Sequence, residues 1–358
     1  MSKYNNKMLS NTTQNQRTIL VYVHLGKLIP DELLHHAKLA CSIMAADDIY
    51  LITDAECGEF PGKVISCISA DWDERFSRYL NRFPEISETD HGYWDVTLRR
   101  LLALELLTDM VDNETKIIHV ESDVMILLPI PQILSALEGF KLPAIPRLAK
   151  NGIASFLYFP STLQLSLFCE NVLRILESTK VPLTDMKLLG IGLSNGWLQE
   201  IPSTPSNAIL ENKKIIFDGA AIGQYLFGVN PIHTGGLLQS GFQNPYFSDD
   251  LSAIHWQMDS NANFDVPCLV AKSGRNRLVV ANLHIHSKDL LPFPDMNSDR
   301  WIRAMQEANG ADRLVEVRVT GPSRGSGISV KGKLRKASRI GLLGVIKIVV
   351  GKIVCRFR

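Results

Sequence analysis

The chain has 358 residues, 46% hydrophobic and 21% charged, which suits a packed soluble protein of one large α/β domain or two smaller ones. Its six cysteines, at 41, 57, 67, 169, 268 and 355, contain no C-x-x-C pair, so a small disulfide scaffold is excluded and a reducing cytosol is the expected setting. The net charge of +1 is unevenly spread: Pro322–Arg358 holds ten Lys or Arg and no acidic residue, and the overall +1 less these ten leaves −9 on the preceding 321 residues, which argues against a nucleic-acid binder.

Residues 1–16 are polar, lack the apolar core of a signal peptide and are expected to be disordered. The sequons at Asn11 and Asn113 are read as chance. Thr18–Val23 predicts a buried first strand; His24-Leu-Gly-Lys27 follows as a loop, then a helical pattern runs from Pro30 to Met44. Asp48–Thr53 is the second strand. Strand, helix, strand in that order is a right-handed parallel βαβ unit with ligands at the carboxyl ends of its strands, where His24 stands. No G-x-G-x-x-G follows the first strand, so the dinucleotide fingerprint is absent.

Val64–Ile68 is a third short strand, and the aromatic, charged stretch from Asp71 to Asp95 predicts short helices. Thr97–Met110 is a strongly apolar helix with Arg99 and Arg100 at its start, placed either for solvation or to reach a phosphate. It leads into Lys116–Ile133, where an apolar run meets Glu121-Ser122-Asp123 before a second run stopped by Pro129 and Pro131. If the strand continues through them, its period of two aims both carboxylates to one side, where a divalent cation can bridge them to phosphate oxygens. The plainer alternative is a strand that ends in an acidic turn.

Leu142–Pro146 and Ile153–Pro160 predict two more strands, and Ser161–Ser178 an amphipathic helix. Residues 181–210, with Gly190, Gly192, Gly196, Pro202 and Pro205, are loop-rich, either a lid or an irregular connection. Ile215–Gly228 gives an apolar approach, Asp218 at a helix-initiating position, and a small-residue helix; Asp218 is a cap or a site residue. The loop Asn230–Gly236 follows. Residues 237–265 lack periodicity. Leu278–Lys288 returns to a strand that carries His284 and His286 on one face, with Lys288 beyond, as a metal-plus-phosphate end of a site requires.

In this order the pieces resemble a nucleotide-sugar glycosyltransferase of the GT-A fold. The matching features are the N-terminal βαβ half, Arg100 before the acidic strand, Glu121-Ser122-Asp123 in place of the family's Asp-x-Asp, the segment F-D-G-A-A-I-G-Q-Y-L, and H-I-H-S-K. The resemblance covers about residues 17 to 290. It implies an α/β fold, a Rossmann-like, mixed and mostly parallel sheet flanked by helices. It also implies a nucleoside-diphosphate sugar as donor, Mn2+ or Mg2+ as cofactor and a glycan or lipid-linked acceptor. Asp123 would bind the ion and Glu121 the donor's ribose or sugar, or the ion through water. His284 or His286 would complete the metal shell. His24, Arg100 and Lys288 would contact the donor, and Asp218 would act as base or orient the sugar. The rival readings are a sugar-phosphate nucleotidyltransferase and a non-catalytic membrane-associated nucleotide-sugar-binding protein.

The implied organisation is a catalytic domain over 17–310, a Gly/Ser-rich linker over 311–330 and a basic tail over 331–358. At helical spacing, the tail's Gly341, Gly344, Lys347 and Gly351 share one face and its aliphatic residues lie largely on another. That predicts an amphipathic helix lying on an anionic membrane surface rather than spanning it, with the protein cytoplasmic on the membrane's inner face.

Overall fold

The computed structural model describes residues 16–68, 74–88, 92–228, 243–244, 246–251, 255–261, 264–270 and 277–285. β1 (Thr18–His24) is an apolar run whose residues Ile19 to Val23 are fully buried, as a parallel strand covered on both faces must be. Pro30 ends the extended segment, and α1 (Asp31–Ala40) starts with Asp31 and Glu32 in its first turn, where carboxylates suit the unpaired N–H groups. β2 (Ile49–Thr53) and β3 (Lys63–Ser66) extend the parallel set. The predicted short helices are α2 (Glu74–Arg82) and α3 (Glu85–Glu88).

α4 (Tyr93–Ala103) begins earlier than its apolar pattern, at Gly92 in the left-handed region. Arg99 and Arg100 therefore lie well inside the helix and not at its start. β4 (Lys116–Val120) follows, parallel to β1. The strand stops there: Glu121, Ser122 and Asp123 form a turn closed by the Val124 N–H on the Glu121 carbonyl at 3.1 Å, and β5 (Val124–Ile126) resumes beyond it. Pro129 caps α5 (Ile130–Ala136), after which β6 (Ala144–Ile145), the hairpin β7 (Arg147–Leu148) and β8 (Asn151–Gly152), and β9 (Phe156–Phe159) come in quick succession. Ser161 caps α6 (Thr162–Ser178), its hydroxyl accepting from the Gln164 N–H at 3.3 Å.

The stretch expected as loop is instead structured: α7 (Asp185–Asn195), β10 (Gln199–Glu200) and α8 (Pro205–Leu210). Gly190 and Gly192, two of the glycines that suggested a loop, serve close packing, and Gly196 ends α7 in the left-handed region. A Cβ on Gly190 would lie 2.3 Å from the Lys150 carbonyl oxygen, so α7 can seat against β8 only with glycine there.

The central sheet has seven strands in the order β3-β2-β1-β4-β9-β6-β10; β9 runs antiparallel to both neighbours and the other pairs are parallel. The fold is the mixed, mostly parallel α/β sheet flanked by helices that the resemblance implied. Alternate residues Ile19, Val21 and Val23 join Leu98, Leu101, Phe168 and Leu173 of α4 and α6 in one core, where each fully buried large side chain contributes about 1.5–3 kcal/mol.

The chain forms two compact units. The first runs to Gly219 and takes in Val280–Leu283 from much later. It includes β11 (Ile215–Ile216). The second begins at Ala220 and contains α9 (Ile222–Phe227), the antiparallel strands β12 (His255–Asn261) and β13 (Phe264–Val270), and β14 (Arg277–Val280) up to Val279. The single strand expected over 278–288 is broken at Ala281, whose N–H bonds the Ile216 carbonyl at 2.9 Å and whose carbonyl accepts from Leu127 at 2.8 Å. β15 (Asn282–His284) then pairs with β5. The N-terminal segment 1–15, the loop Asn230–Gly236, His286, Lys288, the linker and the tail helix lie outside the described residues. Among the described residues no helix is long and apolar enough to cross a membrane.

Candidate metal centre

The register of the parallel strands builds the site. Tyr22 stands opposite Val120, so the residues that follow β4 run alongside the carboxyl end of β1, where His24 lies opposite Thr53 of β2. Glu121 and Asp123 are thus delivered to the strand ends, the edge where ligands of parallel sheets bind. They reach it through a tight turn rather than through the period of an extended strand. β15, paired to β5 just beyond that turn, ends on His284.

Glu121, Asp123 and His284 each present a ligand atom within 4.8 Å of the other two. Glu121 and His284 are buried and Asp123 is half-buried. Two carboxylate oxygens and one imidazole nitrogen at that spacing suit a divalent cation held at about 2.0–2.4 Å by each. Arg100 of α4 donates to the Glu121 carboxylate at 2.7 Å, with the two side chains only 14% and 12% exposed. Burial works against the Arg100 charge, and Glu121, Asp185, Tyr93 and Asp123 together outweigh it, holding the guanidinium above its ordinary value.

Asp185, which the sequence reading passed over, belongs to this setting. It is the first residue of α7, is 5% exposed, and has a buried Oδ1 with no hydrogen-bond partner. Burial first, and then the Glu121 charge, push its carboxyl up to about 6, against the opposing pull of Arg100, the Met186 N–H and Thr97. The signal that could have found it is Thr184-Asp185 ahead of the apolar Leu188 and Leu189, a helix-start pattern obscured by the glycines; Thr184 does cap α7, accepting from Lys187 N–H at 3.3 Å.

His24 stays near the cluster: burial lowers its pKa, with Arg100 adding to the effect, and its Nε2 is buried without a partner. Asp218 is 1% exposed and is not a helix cap, because α9 starts four residues later, after Ala221. Its backbone is clamped instead. The Asn282 side chain accepts the Asp218 N–H at 3.2 Å and donates to its carbonyl at 2.9 Å, and the Ser155 hydroxyl donates to the same carbonyl at 3.2 Å. The structure therefore brings together Glu121, Asp123, His284 and Arg100, with His24 within reach of the Arg100 charge, while Asp218 is held through its backbone by Asn282 and Ser155.

No protein-family model matches the chain, and no curated protein sequence does. Solved structures do. The glycosyltransferase GlyE of Streptococcus pneumoniae shares 14% identity over 52% of this chain and 45% of its own, with a TM-score of 0.33. An active-site mutant of LgtC shares 12% identity over 81% of this chain and 95% of its own, with a TM-score of 0.34. A Bacillus anthracis protein designated a glucose-1-phosphate thymidylyltransferase shares 12% identity over 51% of this chain and 86% of its own, with a TM-score of 0.26. This chain spans less than half the length of GlyE. At these scores neither a family nor a chemistry follows from the likeness.

Proposed function

We propose that the protein is a metal-dependent glycosyltransferase of GT-A type, which moves a sugar from a nucleoside-diphosphate sugar to a glycan or lipid-linked acceptor. The observation that carries this reading is the convergence of Glu121, Asp123 and His284 at the carboxyl end of a parallel strand, beside the Arg100 guanidinium. Mn2+ or Mg2+, when bound, supplies Lewis-acid stabilisation of a departing diphosphate. The imidazole in the donor set favours Mn2+ of the two.

In this reading Asp123 and His284 hold the ion, and His286 is the alternative imidazole. Glu121, kept in place by Arg100, meets the donor's ribose or sugar, or the ion through water. Arg100, Lys288 and His24 provide cationic or donor groups for the diphosphate and nucleotide. Asp218 orients the transferred sugar or takes the acceptor's proton. Asp185 adds a carboxyl near Glu121 that can accept or donate a hydrogen bond according to its protonation.

The test is to add Mn2+ and a panel of nucleoside-diphosphate sugars to the full chain, separately and together, and to measure Tm and sugar transfer. Joint addition should raise Tm more than either alone. Asp123→Asn should lose transfer by at least about a hundred-fold with its ligand-free Tm nearly unchanged. Full transfer in excess chelator, or by Asp123→Asn, overturns the metal reading. Pyrophosphate release from a nucleoside triphosphate with a sugar phosphate would make the protein a nucleotidyltransferase instead.

The ten basic residues of the C-terminal segment support attachment to an anionic membrane surface, which would present a lipid-linked acceptor. Replacing Lys331, Lys333, Arg335, Lys336 and Arg339 with Glu in the full chain should abolish flotation with phosphatidylglycerol vesicles at low salt. Equal flotation of the two proteins removes the membrane reading and leaves the transferase reading untouched.

A further inference from the structure

The turn that carries both carboxylates is anchored from outside the sheet by a residue with no place in the chemistry above. His36, on α1, is 7% exposed, and its Nδ1 lies 3.0 Å from the carbonyl oxygen of Ser122, the residue between Glu121 and Asp123. Because that partner can only accept, the ring must carry its proton on Nδ1. Burial holds the His36 pKa down at about 4, so the ring is neutral near pH 7 and has a single N–H to place.

The Ser122 carbonyl belongs to the peptide that joins Ser122 to Asp123. Fixing its oxygen fixes the plane of that peptide, and with it the direction in which Asp123 leaves the turn. Two backbone bonds also hold the turn, the Val124 N–H on the Glu121 carbonyl at 3.1 Å and the Glu121 N–H on the Ser155 carbonyl at 3.3 Å. Neither touches the Ser122–Asp123 peptide. We propose that His36 is a positioning residue for the metal centre, its Nδ1–H holding the Ser122 carbonyl so that the Asp123 carboxylate meets Glu121 and His284 in ion-binding geometry. This rests on the metal reading of the cluster.

Side-chain geometry supplies the test. The Asn amide nitrogen occupies the place of His Nδ1, the Gln amide nitrogen reaches the place of Nε2, and Leu fills the space with no donor. Mn2+ binding to the full chain is measured by calorimetry and by the electron paramagnetic resonance of free Mn2+, with amide exchange at Asp123 followed in the metal-free protein. His36→Leu and His36→Gln should weaken Mn2+ binding by about 10- to 100-fold, the usual loss when a group supporting a metal ligand is removed. They should also speed exchange at Asp123. His36→Asn should keep Mn2+ affinity within about three-fold of wild type even if its Tm falls.

Wild-type affinity in a folded His36→Leu overturns the proposal and leaves the metal reading standing, as does an equal loss in Asn, Gln and Leu variants that all fold. A wild-type chain that binds no Mn2+ overturns both.

Discussion

Among the carboxylates within the field of Arg100, Glu121 and Asp185 are held in opposite ways. Glu121 follows the central strand β4 and is paired with the Arg100 guanidinium at 2.7 Å. Asp185 starts α7, is buried, and has one oxygen without a partner; its carboxyl is pushed up to about 6. The first is a charge that the fold has neutralised. The second is a charge that the fold opposes. The difference separates a carboxylate whose charge is matched by a direct ion pair from one whose charge is only partly offset by Arg100, the Met186 N–H and Thr97.

Removing the guanidinium should break the comparison most severely. Arg100→Met withdraws the cation from a largely buried pair and should destabilise the metal-free protein by about 3–5 kcal/mol, read as a lowered urea midpoint. Mn2+ should then raise the midpoint of this variant more than that of wild type, because the ion replaces part of the missing charge. Equal Mn2+ effects in the two proteins would show that Arg100 and the ion do not share Glu121.

Asp185→Asn should act in the other direction. The folded carboxyl titrates at about 6 against about 3.9 in an unfolded chain, so the folded state binds its proton more tightly. Stability from this group is therefore present below about pH 4, is lost as pH rises toward 6, and is missing in full above that, up to about 3 kcal/mol. The variant should be more stable than wild type at pH 8 and equal to it near pH 4, while sugar transfer falls. An Asp185→Asn chain less stable at pH 8 would mean that the carboxylate is satisfied and the contrast with Glu121 false.

The smallest effect is expected at the cap of the same helix. Thr184→Ala removes the hydroxyl that accepts from Lys187 and should cost about 1 kcal/mol, visible as a small drop in Tm. Its use is to separate the helix from the site: donor and Mn2+ binding should hold if α7 merely frays, and weaken if the cap sets the place of Asp185.

Much of this was legible in the chain. The runs Thr18–Val23 and Lys116–Val120 are buried strands because an unbroken apolar stretch has no polar face to leave in water, and Ser161 caps α6 because its hydroxyl serves a helix N–H that lacks an internal partner. The acidic motif after β4 and the histidine at 284 could be picked out as candidate ligands because carboxylates and imidazoles at the ends of apolar strands need a polar partner, an ion being one.

What the sequence could not contain is distance across the fold. Glycine reads locally as a breaker, and only the Lys150 carbonyl lying where a Gly190 Cβ would go shows that it lets α7 dock. At Glu121-Ser122-Asp123 the sequence left a continuing strand and an acidic turn both open, and the chain forms the turn. Its hydrogen-bond partners include His36, more than eighty residues earlier, and Ser155, more than thirty later. Asp218 looked like a cap because capping is a local signal, whereas its backbone is held by Asn282, sixty-four residues away. The sequence by itself determined the principal buried strands and capped helices and the residue types that can serve as ligands, since these follow from side-chain type and local period. Tertiary structure alone decided which of those residues meet, because burial, a shared guanidinium and buried hydrogen bonds are properties of neighbours brought together from distant parts of the chain.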